Sequence, residues 1–206
     1  ALQFGLGEKV LQETFSIEKK GLIPNTQWKK DNLGKNWVIG ETLITGIGQG
    51  YTQTTPLQLC LMTAQIANGG HKIYPKIILN KNDETYEEAK AIIEKNHEIN
   101  KQLNNGLVES SEKLFTFIKK KRHQTLYKDS NNIKLVQEAM FASTNEIRGT
   151  SYSSRIKDPK YQFAGKTGTS QVKRISAMDR ELDLRTLEIP YNERDHALYI
   201  AFGPYK

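Results

Sequence analysis

Gly165-Lys166-Thr167-Gly168-Thr169-Ser170-Gln171-Val172, preceded by Tyr161-Gln162-Phe163-Ala164, reads as a strand that carries Lys, Thr and Gly along one edge. Threonine hydroxyls and a lysine ammonium on such a strand reach toward a ligand. Gly168 has no Cβ to obstruct another backbone. Free backbone N–H groups along a strand edge bind a carbonyl oxygen or take up an extended peptide as an added strand. The triplet Lys166-Thr167-Gly168 is short, and an ordinary strand with a solvated lysine would read the same.

A second stretch narrows the choice. Gly46-Ile47-Gly48-Gln49-Gly50-Tyr51-Thr52-Gln53-Thr54-Thr55-Pro56-Leu57-Gln58-Leu59 runs on to Ala67-Asn68-Gly69-Gly70. Together the two stretches resemble the transpeptidase domain of class B penicillin-binding proteins of the elongation type (penicillin-binding protein 2). K-T-G is one of three active-site motifs of that superfamily, beside S-x-x-K and S-D-N. The G-Q-G-Y-x-x-x-T-P-L-Q-L run is far more specific than the triplet. The resemblance covers about residues 1–77 and 131–206.

The resemblance implies an α/β fold of the penicillin-binding protein transpeptidase and serine β-lactamase type. That fold is a mostly antiparallel sheet flanked by helices on both faces, and it is incomplete in this chain. It implies a peptidoglycan D,D-transpeptidase that cross-links stem peptides through a serine acyl-enzyme and is acylated by β-lactams. Lys166 would keep the site electropositive and join the proton network. Thr167 and Thr169 would bind the carboxylate of a penicillin or a stem peptide, with Gly168 between them. The backbone N–H of Thr169 would be half of the oxyanion hole. No cofactor or metal is implied. The implied partners are peptidoglycan stem peptides, β-lactam antibiotics and the cell-elongation machinery. The implied location is the periplasmic face of the inner membrane, held by an anchor upstream of this chain.

The other two motifs are not evident. S-x-x-K occurs at Ser16 with Lys19, Ser110 with Lys113 and Ser154 with Lys157. Ser16 is followed closely by a Gly-Pro turn, Ser110 opens a charged helix, and Ser154 lies in a loop. Ser143-Thr144-Asn145 mimics S-x-N but stands too close to Lys166. In family order the nucleophile precedes residue 1, so the chain reads as an internal piece of the domain, silent on its own. The absence of an initiator Met and of a basic-apolar leader agrees with a piece cut from a longer chain.

Composition bounds the alternatives. The chain has 206 residues, 37% hydrophobic and 26% charged, with net charge +7, and a mean hydropathy of −0.62. No run of about 18 apolar residues occurs. The basic balance first suggests nucleic acid, but the basic residues are dispersed apart from Lys119-Lys120-Lys121-Arg122, and no nucleic-acid motif accompanies them. Gly46, Gly48 and Gly50 have the wrong spacing for a dinucleotide loop. His71, His97, His123 and His196 lack ligand spacing. Cys60 stands alone, so no intrachain disulfide forms. Two rivals stand beside this reading: a non-catalytic binding or structural module with a degenerate penicillin-binding fold, and a serine β-lactamase, against which the G-Q-G-Y-x-x-x-T-P-L-Q-L run argues.

Along the chain, residues 1–36 read as loop-rich. Trp37–Gly40 and Thr42–Thr45 read as short extended pieces. Thr55 and Pro56 open a helix over 56–68, with Leu57, Cys60, Leu61, Ala64 and Ala67 facing the core. Two charged helices, about 83–103 and 110–126, suggest a helical insertion at about 80–130. A helix over 131–145 presents Ile133, Val136, Ala139, Met140 and Ser143. His196–Phe202 alternates as a strand and pairs antiparallel with 161–172. Two strands are marginal alone, so the isolated chain is expected to self-associate or to be poorly stable.

Overall fold

The computed structural model describes residues 1–11, 17–75, 124–172 and 187–205. The chain divides into two units, Ala1–Ile73 with Thr125–Lys206, and Tyr74–Gln124. The charged helices expected over about 83–103 and 110–126 lie outside the described residues except for 124–126, which are not helical, since Thr125 bridges His71. Nearly all of the second unit lies outside them as well.

Among the described residues two strands form an antiparallel sheet: β1, Ala164–Ser170, and β2, His196–Phe202. Their register sets Lys166 opposite Ile200, Thr167 opposite Tyr199 and Thr169 opposite Ala197. The pairing is the one the sequence predicts. β1 is shorter than expected, because Pro159–Tyr161 forms a 3-10 turn capped by the Asp158 side chain.

Among the described residues four α-helices accompany the sheet: α1, Thr26–Leu33; α2, Ile39–Gly46; α3, Pro56–Ala67; and α4, Ser130–Asn145. α3 packs on β2, α4 packs on β1, and α3 touches α4. α3 starts as expected, with the Thr55 hydroxyl accepting from Gln58 N–H and the Gln58 side chain accepting from Thr55 N–H. That is a capping box with proline at the first helical position.

The buried face of α3 differs from the apolar stripe. Gln58 and Gln65 are buried with Leu61, and Cys60 is exposed. Each glutamine ties down main chain. Gln58 Nε2 donates to the carbonyls of Glu8 at 2.7 Å and Lys20 at 2.8 Å. Gln65 Nε2 donates to Phe4 O at 3.0 Å, and its Oε1 accepts from Ile73 N–H at 3.1 Å. Buried amides are tolerated where their bonds are made, and these bonds fix the otherwise loop-rich residues 1–22 against the helix.

The same correction applies to α4. Its buried residues are Ile133, Met140 and Thr144, while Val136 is 41% exposed. The stripe runs one residue on from Ser143, because the hydroxyl of Thr144 has partners on the sheet.

Two short helices were not expected. α1 lies within the residues read as loop. Asn25 caps it by accepting from Trp28 N–H at 2.8 Å, and Gly34, at φ +62°, ends it. α2 replaces the two extended pieces. Its first turn is closed by Glu41, whose carboxylate accepts from Val38 N–H at 2.9 Å. Lys29 of α1, only 5% exposed, meets Glu41 at 2.5 Å and also donates to Asn36 O at 2.7 Å. That ion pair joins α1 to α2 and holds Glu41 below the ordinary glutamate value, with the Lys29 bond the larger cause and the Val38 N–H the next.

His71 and Thr125 form an isolated antiparallel bridge, and Leu126 N–H donates to Gly70 O at 2.9 Å.

Candidate functional site

Lys166, Thr167, Gly168 and Thr169 occupy the middle of β1. The alternate carbonyls of this strand take side-chain donors from outside the ladder. Gly165 O accepts from Thr144 Oγ1 at 3.4 Å, Thr167 O from Lys166 Nζ at 2.7 Å, and Thr169 O from Gln49 Nε2 at 3.4 Å. In an antiparallel strand the N–H and C=O of one residue point to the same side. The backbone groups of Gly165, Thr167 and Thr169 therefore line the edge of β1 that faces away from β2. Thr169 N–H stands at that edge.

Gln49 belongs to the glycine-rich turn Gly46–Tyr51. Gly48 and Gly50 both adopt φ +76° there, a region costly for other residues. A Cβ on Gly50 would press Ile44 Cγ2 at 3.0 Å. Tyr51 sets its ring 5.2 Å from that of Trp28, and Leu22 bridges Gln53. The turn is thus anchored on one side by α1 and reaches β1 on the other. It brings together two stretches 120 residues apart in sequence.

Beneath β1 lies a cluster of hydroxyls. Thr144 Oγ1 is 3.0 Å from Tyr199 Oη and 3.5 Å from Ser151 Oγ, and Tyr199 Oη donates to Ser151 Oγ at 3.3 Å. Ser151 Oγ donates on to Ser143 O at 3.1 Å. Gly165 makes room for this arrangement, since a Cβ there would overlap the Tyr199 hydroxyl. Gly168 meets no comparable obstacle: its nearest neighbour would be Leu198 Cβ at 3.9 Å. The glycine of the motif is not demanded by packing among the described residues, and its missing Cβ leaves that face open.

Ser143-Thr144-Asn145 holds α4 to the sheet. Asn145 Nδ2 donates to Phe141 O and Phe163 O, both at 3.0 Å. Ser154 ends a 3-10 turn, Tyr152–Ser154, while Ser16 and Ser110 lie outside the described residues. Sequence reasoning missed Thr144, Ser151 and Tyr199. Nothing but the alternation of β2 places Tyr199 on any face, and its partners come from two other segments. Gln49 was inside the motif, but its reach to β1 is a tertiary fact.

The chain is similar to known proteins in sequence and in fold. The penicillin binding protein transpeptidase domain family matches residues 1–179. The peptidoglycan D,D-transpeptidase MrdA of Acinetobacter baumannii is 32% identical over 202 residues, 98% of this chain and 25% of that protein. The crystal structure of Pseudomonas aeruginosa PBP2 in complex with WCK 5153 superposes with a TM-score of 0.64 at 29% identity, over 99% of this chain and 34% of that one. The complex between PBP2 and MreC from Helicobacter pylori gives 0.64 at 25% identity, over 99% of this chain and 28% of that one. The chain spans a quarter to a third of the length of these relatives.

Proposed function

The chain belongs to the penicillin binding protein transpeptidase family, and on that premise we propose that it is the K-T-G-bearing part of a peptidoglycan D,D-transpeptidase. The whole protein attacks the D-Ala-D-Ala end of a stem peptide with a serine, releases the terminal D-Ala, and passes the acyl group to an amine on a neighbouring strand. The observation that carries this reading is the contact of Gln49 with Thr169. It joins the glycine-rich turn to the edge of the K-T-G strand that no further strand pairs among the described residues, where an extended peptide can be added.

Each residue then has a role. Lys166 supplies positive charge beside the scissile bond. Thr167 and Thr169 bind the carboxylate of the donor peptide or of a β-lactam. The N–H of Thr169 stabilises the oxyanion, a contribution of about 3 kcal/mol for one donor in such holes. Gly168 leaves the face above the strand clear for the substrate. Residues at about 80–130 are, on this reading, an insertion in the domain. The protein works at the periplasmic face of the inner membrane among elongation proteins, in keeping with the PBP2–MreC complex of H. pylori.

The test is intact-mass spectrometry of the full-length protein after incubation with benzylpenicillin. One covalent adduct per chain is expected, and Lys166→Ala should slow its formation by at least about tenfold. The 206-residue chain by itself should take up none. A full-length protein that forms no adduct would sink the reading, and an adduct mapped to Ser143 or Ser154 would sink the assignment of roles.

A further inference from the structure

The hydroxyl of Thr167 has two neighbours that can polarise it. Lys166 Nζ lies 3.3 Å from Thr167 Oγ1. Thr150 Oγ1 lies 3.1 Å from the same atom and 3.3 Å from Ser143 Oγ. Gly149 makes this approach possible, because a Cβ there would run into the carbonyl of Ser143. Thr150 thereby folds back over the end of α4 and reaches the strand.

A hydroxyl has one proton and two lone pairs, whereas an ammonium only donates. Lys166 therefore occupies one lone pair of Thr167. If Thr150 donates as well, both lone pairs are filled, and the single proton of Thr167 points to the remaining position, toward an anion. Thr150 then has its own oxygen free to accept from Ser143. We propose that Thr150 is a positioning residue which fixes the polarity of a relay, Ser143 O–H to Thr150 O–H to Thr167 O–H to the ligand carboxylate. The inference rests on the functional reading above, in which Thr167 binds that carboxylate. Each bond in such a chain strengthens the next. With Thr150 silent, the Thr167 hydroxyl can turn its proton away from the ligand, and its preorganisation is lost.

The relay predicts an effect that depends on the ligand's charge. Rates of acylation of the full-length protein are measured with benzylpenicillin and with its methyl ester, in which the carboxylate is masked. Thr150→Val keeps the shape and removes the hydroxyl. It should slow acylation by the acid about tenfold, the equivalent of one charged hydrogen bond, and change the rate with the ester less than about twofold. Thr150→Ser should restore the acid rate to within about threefold of wild type, and Thr167→Val should show the same preference as Thr150→Val. Should Thr150→Val fold poorly, Ser143→Ala at the head of the relay carries the same test, with a loss of about threefold confined to the acid. An unchanged acid rate, an equal loss for both probes, or no rescue by serine overturns the role of Thr150 while leaving the transpeptidase reading intact. A wild-type protein that neither probe acylates overturns both.

Discussion

Gly165 and Gly168 stand three positions apart on one strand for different physical reasons. At Gly165 the space for a side chain is filled by the Tyr199 hydroxyl. That hydroxyl is held by Thr144 and Ser151, so it cannot move without breaking the cluster. Gly165→Ala is expected to destabilise the domain by about 1–3 kcal/mol, the usual cost of overpacking, read by chemical unfolding of the full-length protein. Gly168→Ala should leave stability within about 0.5 kcal/mol and instead slow acylation. Equal stability losses at the two glycines would contradict the packing argument. Gly168 was legible in the sequence because it belongs to a motif. Gly165 was not, because its constraint comes from a residue on the partner strand. Thr144, rather than Ser143, is the buried residue of α4 for a related reason. A count of apolar positions has no place for a hydroxyl that is buried because it is bonded.

Among the elements, α3 shows how far a pattern of side chains reaches. Its limits were legible from Thr55, Pro56 and Asn68, because caps are local chemistry. Its inward face was not, since Gln58 and Gln65 are buried to serve carbonyls of residues 4–20 that no periodicity reveals. Gln58→Leu would leave the Glu8 and Lys20 carbonyls and the Thr55 N–H without that partner. A loss of about 2–4 kcal/mol is expected, against less than about 0.5 kcal/mol for the exposed Cys60→Ala. Thermal melting of both variants decides it, and a neutral Gln58→Leu would show that the N-terminal residues are held by something else. α1 and α2 were misread because each is only eight residues long, too short for an apolar stripe to repeat. They depend on each other through Lys29 and Glu41. Folding lowers the pKa of Glu41, so the pair stabilises the fold above the ordinary glutamate value and ceases to as pH falls through the lower folded one. Glu41→Gln should therefore be less stable than wild type at pH 7, and the gap should close at pH values below 4.5, the ordinary value. A gap that persists at pH 2 would mean that the carboxylate's charge is not what holds α1 to α2.

For the whole molecule, the fold class was legible from two motifs, yet the described residues carry a small core. The buried apolar side chains among them are Val10, Leu61, Leu126, Ile133, Met140 and Ala164. Burying such a side chain contributes about 1.5–3 kcal/mol, and ordering each residue costs roughly as much as one such burial returns. Large apolar side chains remain in water, with Ile39 83%, Leu43 70% and Ile47 75% exposed on and just after α2. β2 adds an open edge. Because Gly165, Thr167 and Thr169 turn their backbone groups away from β2, their partners Ala201, Tyr199 and Ala197 turn theirs away from β1. Those groups pair with no strand among the described residues, and such an edge is a template for another chain. The 206-residue polypeptide expressed alone is therefore expected to self-associate. Light scattering on a sizing column should show dimers or larger species. Ala197→Pro removes one donor from the open edge without touching the β1 ladder, and it should shift the distribution toward monomer. Ile39→Lys with Leu43→Lys should do so only if the α2 face, rather than the edge, drives association. A monodisperse wild-type monomer with a single cooperative melt would refute the prediction, since it would mean that neither the open edge nor the exposed α2 face drives association.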